Sequence, residues 1–425
     1  MHEIIIGRNP EDLETFGHKG TGVIGKHLVG TKKEAHLTNN VRIDLARPHI
    51  IGLFGKRGTG KSYTMGTIAE ELLSLPDDIR KNIGAVIIDT MGIYWSMNTA
   101  NEKDSGLLGD WGIKPEAFKP NILIPQGITK HYQDNEIPFD GTFSFKPSTL
   151  DIGAWALAFN LDLDTELGVL LAQVVDEAND LGESFTIKDM INLTYRQDSS
   201  KTAKTALANR LMLADKWGIF DENASSIYNI VIPGRLSIID VSQLGLESGG
   251  WSVRSLVVGL LARKILEERI KARRAEELEV MDGGTSESPM PITWMLIDEA
   301  HQFLPAIGET AASKPLLQWV KIGREPGVSL VLATQMPNKL HQEAISQCDL
   351  VIAHRLTSRK DMQSLSEIMQ SYLKYDIPEY FDALPRVKGA ALILDDNCER
   401  IFEIRTRPRK SWHAGGSPSA IKTEH

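Results

Sequence analysis

Only two cysteines occur in the 425 residues, Cys348 and Cys398, and neither has a Cys or His companion at metal-ligand spacing. That excludes a disulfide scaffold, argues against a structural zinc site, and fits a reducing cytosol, so a cytoplasmic location is expected. Long apolar runs are missing as well. No stretch of about eighteen apolar residues exists, which leaves no candidate transmembrane helix, and the opening apolar run at Ile4–Ile6 is too brief for a secretory leader. An excess of basic charge is absent too: 47 Lys and Arg stand against 56 Asp and Glu, a net charge of -9. That argues against a surface that binds nucleic acid everywhere, though positive groups could still line a narrow inner surface of a ring. Internal repeats and extended low-complexity tracts are also lacking. What remains is an ordinary globular composition, with 42% hydrophobic and 24% charged residues.

The pattern along the chain divides it into five parts. Residues 1–47 mix glycine turns with short strand-like runs (Gly22–Gly25, Val41–Leu45) and read as a small β module. Residues 48–147 open an α/β core. The run 49–54 reads as a buried strand, a helix is expected from Lys61 to about Leu75, where Pro76 stops it, and 84–89 reads as a second buried strand. Residues 148–232 lose the strand pattern and take on helical spacing, as in Leu167, Leu170, Leu171 and Val174, which reads as a helical insertion. Residues 233–404 return to the core. Strands at 235–241, 292–297, 328–333 and 350–354 alternate with helices, the first running from about Trp251 to Met281, and this alternation predicts a mostly parallel sheet. The linker 282–289 is flexible by composition. Runs 389–394 and 400–404 read as an edge hairpin, and residues 405–425 as a polar tail that leaves the domain.

Between the first strand and its helix lies Gly55-Lys56-Arg57-Gly58-Thr59-Gly60-Lys61-Ser62, which fits G-x-x-x-x-G-K-[ST]. Its glycines let backbone amides curl around an anion at a helix start, where the helix dipole favours negative charge. Gly55, Arg57, Gly58, Thr59, Gly60, Lys61, Ser62 and Tyr63 are thus the expected nucleotide contacts, with Lys61 reaching the β- and γ-phosphates and Ser62 ligating Mg²⁺. The competing reading is a glycine turn that happens to precede a lysine. A phosphate loop needs an acid on a neighbouring strand, and Asp298 follows the apolar run 292–297, where ligands of parallel sheets sit. Asp298 is the expected metal acid, and Glu299 the general base that polarises the attacking water. This second acid favours ATP hydrolysis over phosphate transfer to another molecule. One strand later, Gln335 falls where the γ-phosphate and its water should lie, or else caps a helix. Lys61 and Asp298 are more than half the chain apart, unlike the close spacing of compact P-loop kinases and GTPases.

Taken together, the order of motifs resembles the HerA–FtsK superfamily of P-loop motors, and more closely its HerA branch. The resemblance runs from about Arg47 to His413 and includes the P-loop, 86–89, 233–242, Asp298-Glu299-Ala300-His301, 323–328, Ala333-Thr334-Gln335 and 348–356. It implies a RecA-like P-loop NTPase fold that binds ATP and Mg²⁺, and a homo-oligomeric ring, expected to be a hexamer, that threads double-stranded DNA. It also implies a nuclease partner like NurA, or a defence effector; no membrane partner is expected, because no anchor is visible in the sequence. Arg324 matches the family's candidate arginine finger, with Arg355 a second candidate, and either could instead be an ordinary ion-pair arginine. The segment 405–413 resembles a family segment that reaches a neighbouring subunit, or is a disordered basic tail. Two departures stand out: a short region before the first strand, where the family carries a fuller β-barrel, and Ile93 where the family often has an acid. Asp89 reads as a supporting polar group or a strand end. Lys103, Lys114, Lys119, Lys201 and Lys204 are loop-region lysines with no assignable place in a pore. A motor for another polymer, as in secretion or conjugation, and a scaffold NTPase remain the alternatives.

Overall fold

Runs such as 292–297 and 328–334 are apolar at nearly every position, and such strands must be covered on both faces. A computed structural model, which describes residues 3–30, 34–244, 250–281, 290–369 and 377–415, shows how this is achieved. Thirteen strands among the described residues form one sheet. In chain order they are β1 (Ile4–Ile6), β2 (Thr21–Val29), β3 (His36–Asp44), β4 (Ile50–Phe54), β5 (Ile83–Asp89), β6 (Asn121–Pro125) and β7 (Gly141–Phe143). There follow β8 (Leu236–Asp240), β9 (Ile292–Ile297), β10 (Val328–Thr334), β11 (Leu350–His354), β12 (Ala390–Asp395) and β13 (Arg400–Thr406). The spatial order is β1-β3-β2-β13-β12-β11-β4-β10-β9-β5-β8-β6-β7. From β11 through β7 every neighbouring pair is parallel. Loops at the carboxyl ends of these strands therefore open on one edge of the sheet, where ligands of such sheets bind.

Helices supply much of the covering layers. Helix α1 (Lys61–Leu73) follows β4, and α2 (Ile152–Phe159), α3 (Glu166–Asp180), α4 (Ile187–Arg196) and α5 (Lys201–Lys216) lie between β7 and β8. The long α6 (Gly250–Met281) lies between β8 and β9. Each of the four helices between β7 and β8 begins at a side-chain cap: Asp151, Thr165, Thr186 and Ser200 each accept a backbone N–H of the first turn. Their apolar faces are not a separate core. Trp155, Leu171, Val174 and Leu207 join the layer that covers Ile297, Leu330 and Leu332 on one face of the sheet. The other face packs Leu53, Ile87, Leu296 and Val331 against Met65, Ile68 and Leu72 of α1. No helix among the described residues is long and apolar enough to cross a membrane.

Three features differ from the sequence expectation. The hairpin β12–β13 is interior, not at an edge: β12 pairs with β11, and β13 pairs antiparallel with β2 through Ile404–His27, Arg405–Lys26 and Thr406–Gly25. A strand left at an edge exposes unpaired N–H and C=O groups, and β2 satisfies those of β13. The N-terminal strands thereby continue the main sheet and include a parallel β1–β3 pair. The segment after 404 does not leave the domain. Arg405 and Thr406 end β13, and Arg407, Arg409 and Ser411 are buried against α1. The short strands β6 and β7 were also not anticipated. The linker 282–289 and the last part of the tail, 416–425, lie outside the described residues.

Candidate functional site

The turn after β4 bends in ways that only glycine tolerates easily. Gly58 and Gly60 take φ of +80° and +122°, in the region side chains disfavour. A Cβ on Gly55 would lie 2.6 Å from the His354 Cβ, so the loop can press against β11 only because this residue has none. The turn is pinned from outside by Lys56 N–H donating to the Arg355 carbonyl at 3.2 Å and Gly389 N–H donating to the Thr59 carbonyl at 3.4 Å. Lys56, Arg57 and Gly58 are exposed, Thr59 and Gly60 half-buried, and Lys61 is buried.

Topology then gathers the acids. β10 lies between β4 and β9, so the carboxyl ends of three adjacent strands carry the glycine turn, Gln335 and the Asp298–Glu299 pair. Ser62 Oγ donates to Asp298 Oδ2 at 2.7 Å, joining residues more than half the chain apart. Glu299 takes φ +51°, a left-handed conformation that costs a non-glycine residue roughly 1–2 kcal/mol. That bend turns consecutive carboxylates in different directions, Asp298 to Ser62 and Glu299 to Gln335, whose amide nitrogen lies 3.4 and 3.5 Å from the two Glu299 oxygens. Burial, and then the Asp298 charge, push the Glu299 carboxyl up, while Lys61, Gln335 and Arg57 oppose this. A base within reach of the loop and a cation behind it are what hydrolysis of a phosphoanhydride asks for.

Residues 23–266 match the family model described as "Helicase HerA, central domain". The chain belongs to the HerA family. The HerA helicase of Sulfurisphaera tokodaii, called a DNA double-strand break repair helicase, is 21% identical over 97% of this chain and 74% of its own length. The protein of the same description from Saccharolobus solfataricus is 25% identical, over 91% of this chain and 69% of its own. Among solved structures, VirB4 of Thermoanaerobacter pseudethanolicus superposes with a TM-score of 0.53 at 12% identity, covering 91% of this chain and 97% of that one. The bacterial conjugative coupling protein TrwB gives 0.52 at 14% identity, covering 93% and 95%. These similarities make the HerA-like chain an ATP-hydrolysing enzyme with the RecA-like P-loop fold.

Sequence reasoning did not single out several side chains around the HerA-type site. His301 Nδ1 lies 2.9 Å from Thr334 Oγ1 and 3.5 Å from Glu299 Oε2. Burial, with Lys339 and Lys61 nearby, depresses its pKa. Tyr94, wholly buried, donates its hydroxyl to the Ser62 carbonyl at 3.2 Å. His354 is buried behind the loop, and burial pushes it down to about 4. Because only its Nδ1 faces a carbonyl, that of Ala390 at 3.1 Å, Nδ1 carries the proton and Nε2 accepts from Thr64 Oγ1 at 2.8 Å. The only available signal was position: His301 and His354 fall inside the family-like runs, but no motif assigns them a partner. Asp89 is a loop organiser. It accepts the backbone N–H groups of Met91, Gly92, Ile93 and Tyr94, and burial plus the neighbouring Asp240 raise its pKa.

The two arginine candidates lie in different places. Arg355 is half-buried beside the chain's own glycine turn, through its carbonyl. Arg324 is exposed ahead of β10, and that seven-residue strand, roughly 23 Å long, separates it from Gln335. Lys103, Lys114 and Lys119 are exposed, whereas Lys201 and Lys204, expected in a loop, lie in the first turn of α5, Lys201 exposed and Lys204 donating to the Tyr195 carbonyl at 3.4 Å.

Proposed function

We propose that this chain is the ATP-driven subunit of a ring, with six copies, that translocates or unwinds double-stranded DNA beside a NurA-like nuclease or a defence effector in the cytoplasm. The observation that carries the reading is the 2.7 Å Ser62–Asp298 bond with Glu299 turned toward Gln335 beside it. A hydroxyl and a carboxylate oxygen facing each other suit magnesium, which takes few protein ligands and leaves its other positions to phosphate and water. Ser62 and Asp298 would hold Mg²⁺, and the ion, when bound, neutralises charge on the phosphates.

The remaining roles follow from the residues themselves. The amides of 55–62 and the Lys61 ammonium bind the phosphates of ATP, with Arg57 and Tyr63 flanking them. Glu299 takes the proton of the attacking water at its carboxylate, and Gln335 orients that water and senses the γ-phosphate. His301, held by Thr334, fixes the direction of the Glu299 side chain. Arg324 cannot reach its own site across β10, which supports a role on the nucleotide of a neighbouring copy, as a ring with head-to-tail contacts requires. The curated relatives named as DNA repair helicases support duplex DNA as the polymer.

Duplex DNA should raise ATP turnover strongly, and negative-stain images should show rings with a central hole. If turnover is indifferent to duplex DNA, this reading fails in favour of a motor for another polymer or a scaffold NTPase.

A further inference from the structure

A second cleft lies away from the nucleotide turn, between the N-terminal strands, the far end of α1 and the segment after β13. Its volume is about 700 Å³, within the range of small-molecule sites. On a chain of net charge -9, its walls concentrate positive charge: Lys19, Lys26, Arg42 and Lys410 all line it. Lys19 and Lys26 form no ion pair among the described residues. Arg42 pairs with the half-buried Glu3 at 2.7 Å, and Lys410 with the exposed Glu116 at 3.3 Å. Of the acids in the cleft, Glu71 is already bonded by Arg407 and by Val23 N–H, and Asp78 is exposed. Basic side chains on these walls thus outnumber acidic ones, and Lys19 and Lys26 keep their charge for a ligand.

The cleft also has a flat apolar side. Trp111 is half-buried there, with the Lys26 ammonium 4.9 Å from its ring centre, and Pro76, Ile79 and Ile113 continue the surface. An ammonium held over an indole at the mouth of a cleft is a cation already partly stripped of water, so an anion can take it up at lower desolvation cost. Phosphate oxygens suit such lysines and the Arg42 fork, and a planar ring suits the tryptophan side.

We propose that this cleft binds a nucleotide, as a free mononucleotide or the terminal nucleotide of a single strand. Its phosphate sits among Lys19, Lys26, Arg42 and Lys410 and its base lies along Trp111. The site is separate from the ATP turn. Its floor is Arg407, which also holds Glu70 and Glu71 on the helix that follows that turn.

The test is calorimetric titration of the full chain carrying Lys61→Ala, which removes the phosphate-binding ammonium of the first site and needs no competing nucleotide in solution. The probes are AMP, pyrophosphate and a 5′-phosphorylated thymidine trinucleotide. AMP should bind once per chain, and the double variant Lys19→Glu, Lys26→Glu should weaken it at least tenfold with an unchanged circular dichroism spectrum and urea midpoint. Trp111→Ala should cost AMP more than pyrophosphate. A trinucleotide that binds tighter than AMP identifies the strand end as the occupant, and equal or weaker binding identifies the free nucleotide. No saturable AMP or trinucleotide binding up to about 1 mM, binding of pyrophosphate alone, or binding that survives the double variant would each overturn the proposal.

Discussion

Helix α1 carries two sets of charged groups that are held in opposite ways. At its start, Lys61 and Ser62 face Asp298 and Glu299, and only the Ser62–Asp298 bond is short; Glu299 meets its neighbours at 3.4 and 3.5 Å. Further along the same helix, Glu70 is fully buried and accepts from Arg407, Arg409, Ser411 Oγ and the backbone N–H groups of Lys410 and Ser411, at 2.6 to 3.2 Å. The difference separates binding from support. Groups meant for a ligand keep capacity in reserve, whereas a buried carboxylate with no ligand to await must be saturated from within the chain. The segment 407–411 supplies that saturation, and its close approach explains Gly66: a Cβ there would come within 2.6 Å of the Arg409 guanidinium.

The contrast can be broken most severely at Glu70. Glu70→Ala leaves two buried guanidiniums without their shared acceptor and should cost about 3–5 kcal/mol in urea denaturation, as removal of one side of a buried ion pair does. A loss below about 1 kcal/mol would mean that the cluster is not the support described here. Acid sharpens the same point. Burial alone would raise the Glu70 carboxyl, but Arg407 and Arg409 outweigh it and hold the group below its ordinary value. A depressed carboxylate stabilises the fold above the unfolded-state pKa, about 4.3, and that contribution is lost as pH falls through the folded value. The wild-type midpoint should therefore fall on acidification more steeply than that of Glu70→Gln. Equal slopes would say that another carboxylate governs. The smallest effect is expected where the two sets nearly meet. Tyr63 Oη accepts the Arg409 N–H at 2.6 Å, one residue from Ser62, so Tyr63→Phe should cost about 1–2 kcal/mol. It should also raise the apparent KM for ATP before it touches kcat; a change in kcat alone would place Tyr63 with the reacting groups.

The sequence and the structure divide along the same line. The glycine turn, the two acids and Gln335 were legible because each is a local signal: special backbone at Gly58 and Gly60, an apolar strand ending in carboxylates, a polar residue at the next strand end. The apolar runs likewise foretold β5, β9, β10 and β11 nearly to the residue. The supporting set was not legible, because nothing local says that Arg407 and Arg409, in a proline-containing basic stretch, will be buried on a helix more than three hundred residues earlier. Buried arginine is rare enough that the bland reading of a basic tail was the natural one. The interior position of the β12–β13 hairpin was hidden for a related reason: its partner β2 lies at the other end of the chain, and pairing at that separation leaves no periodic trace. β6 escaped because its three apolar residues lie between Pro120 and Pro125, which read as loop, and β7 because three residues carry too few positions to show a period.

The most direct measurement of the central claim is ATP binding and single-turnover hydrolysis by Glu299→Gln in the presence of duplex DNA. The account predicts binding close to wild type and hydrolysis slowed about 100-fold or more, as expected for loss of a positioned general base. Hydrolysis near the wild-type rate would contradict it, because the carboxylate turned toward Gln335 would then have no part in the reaction.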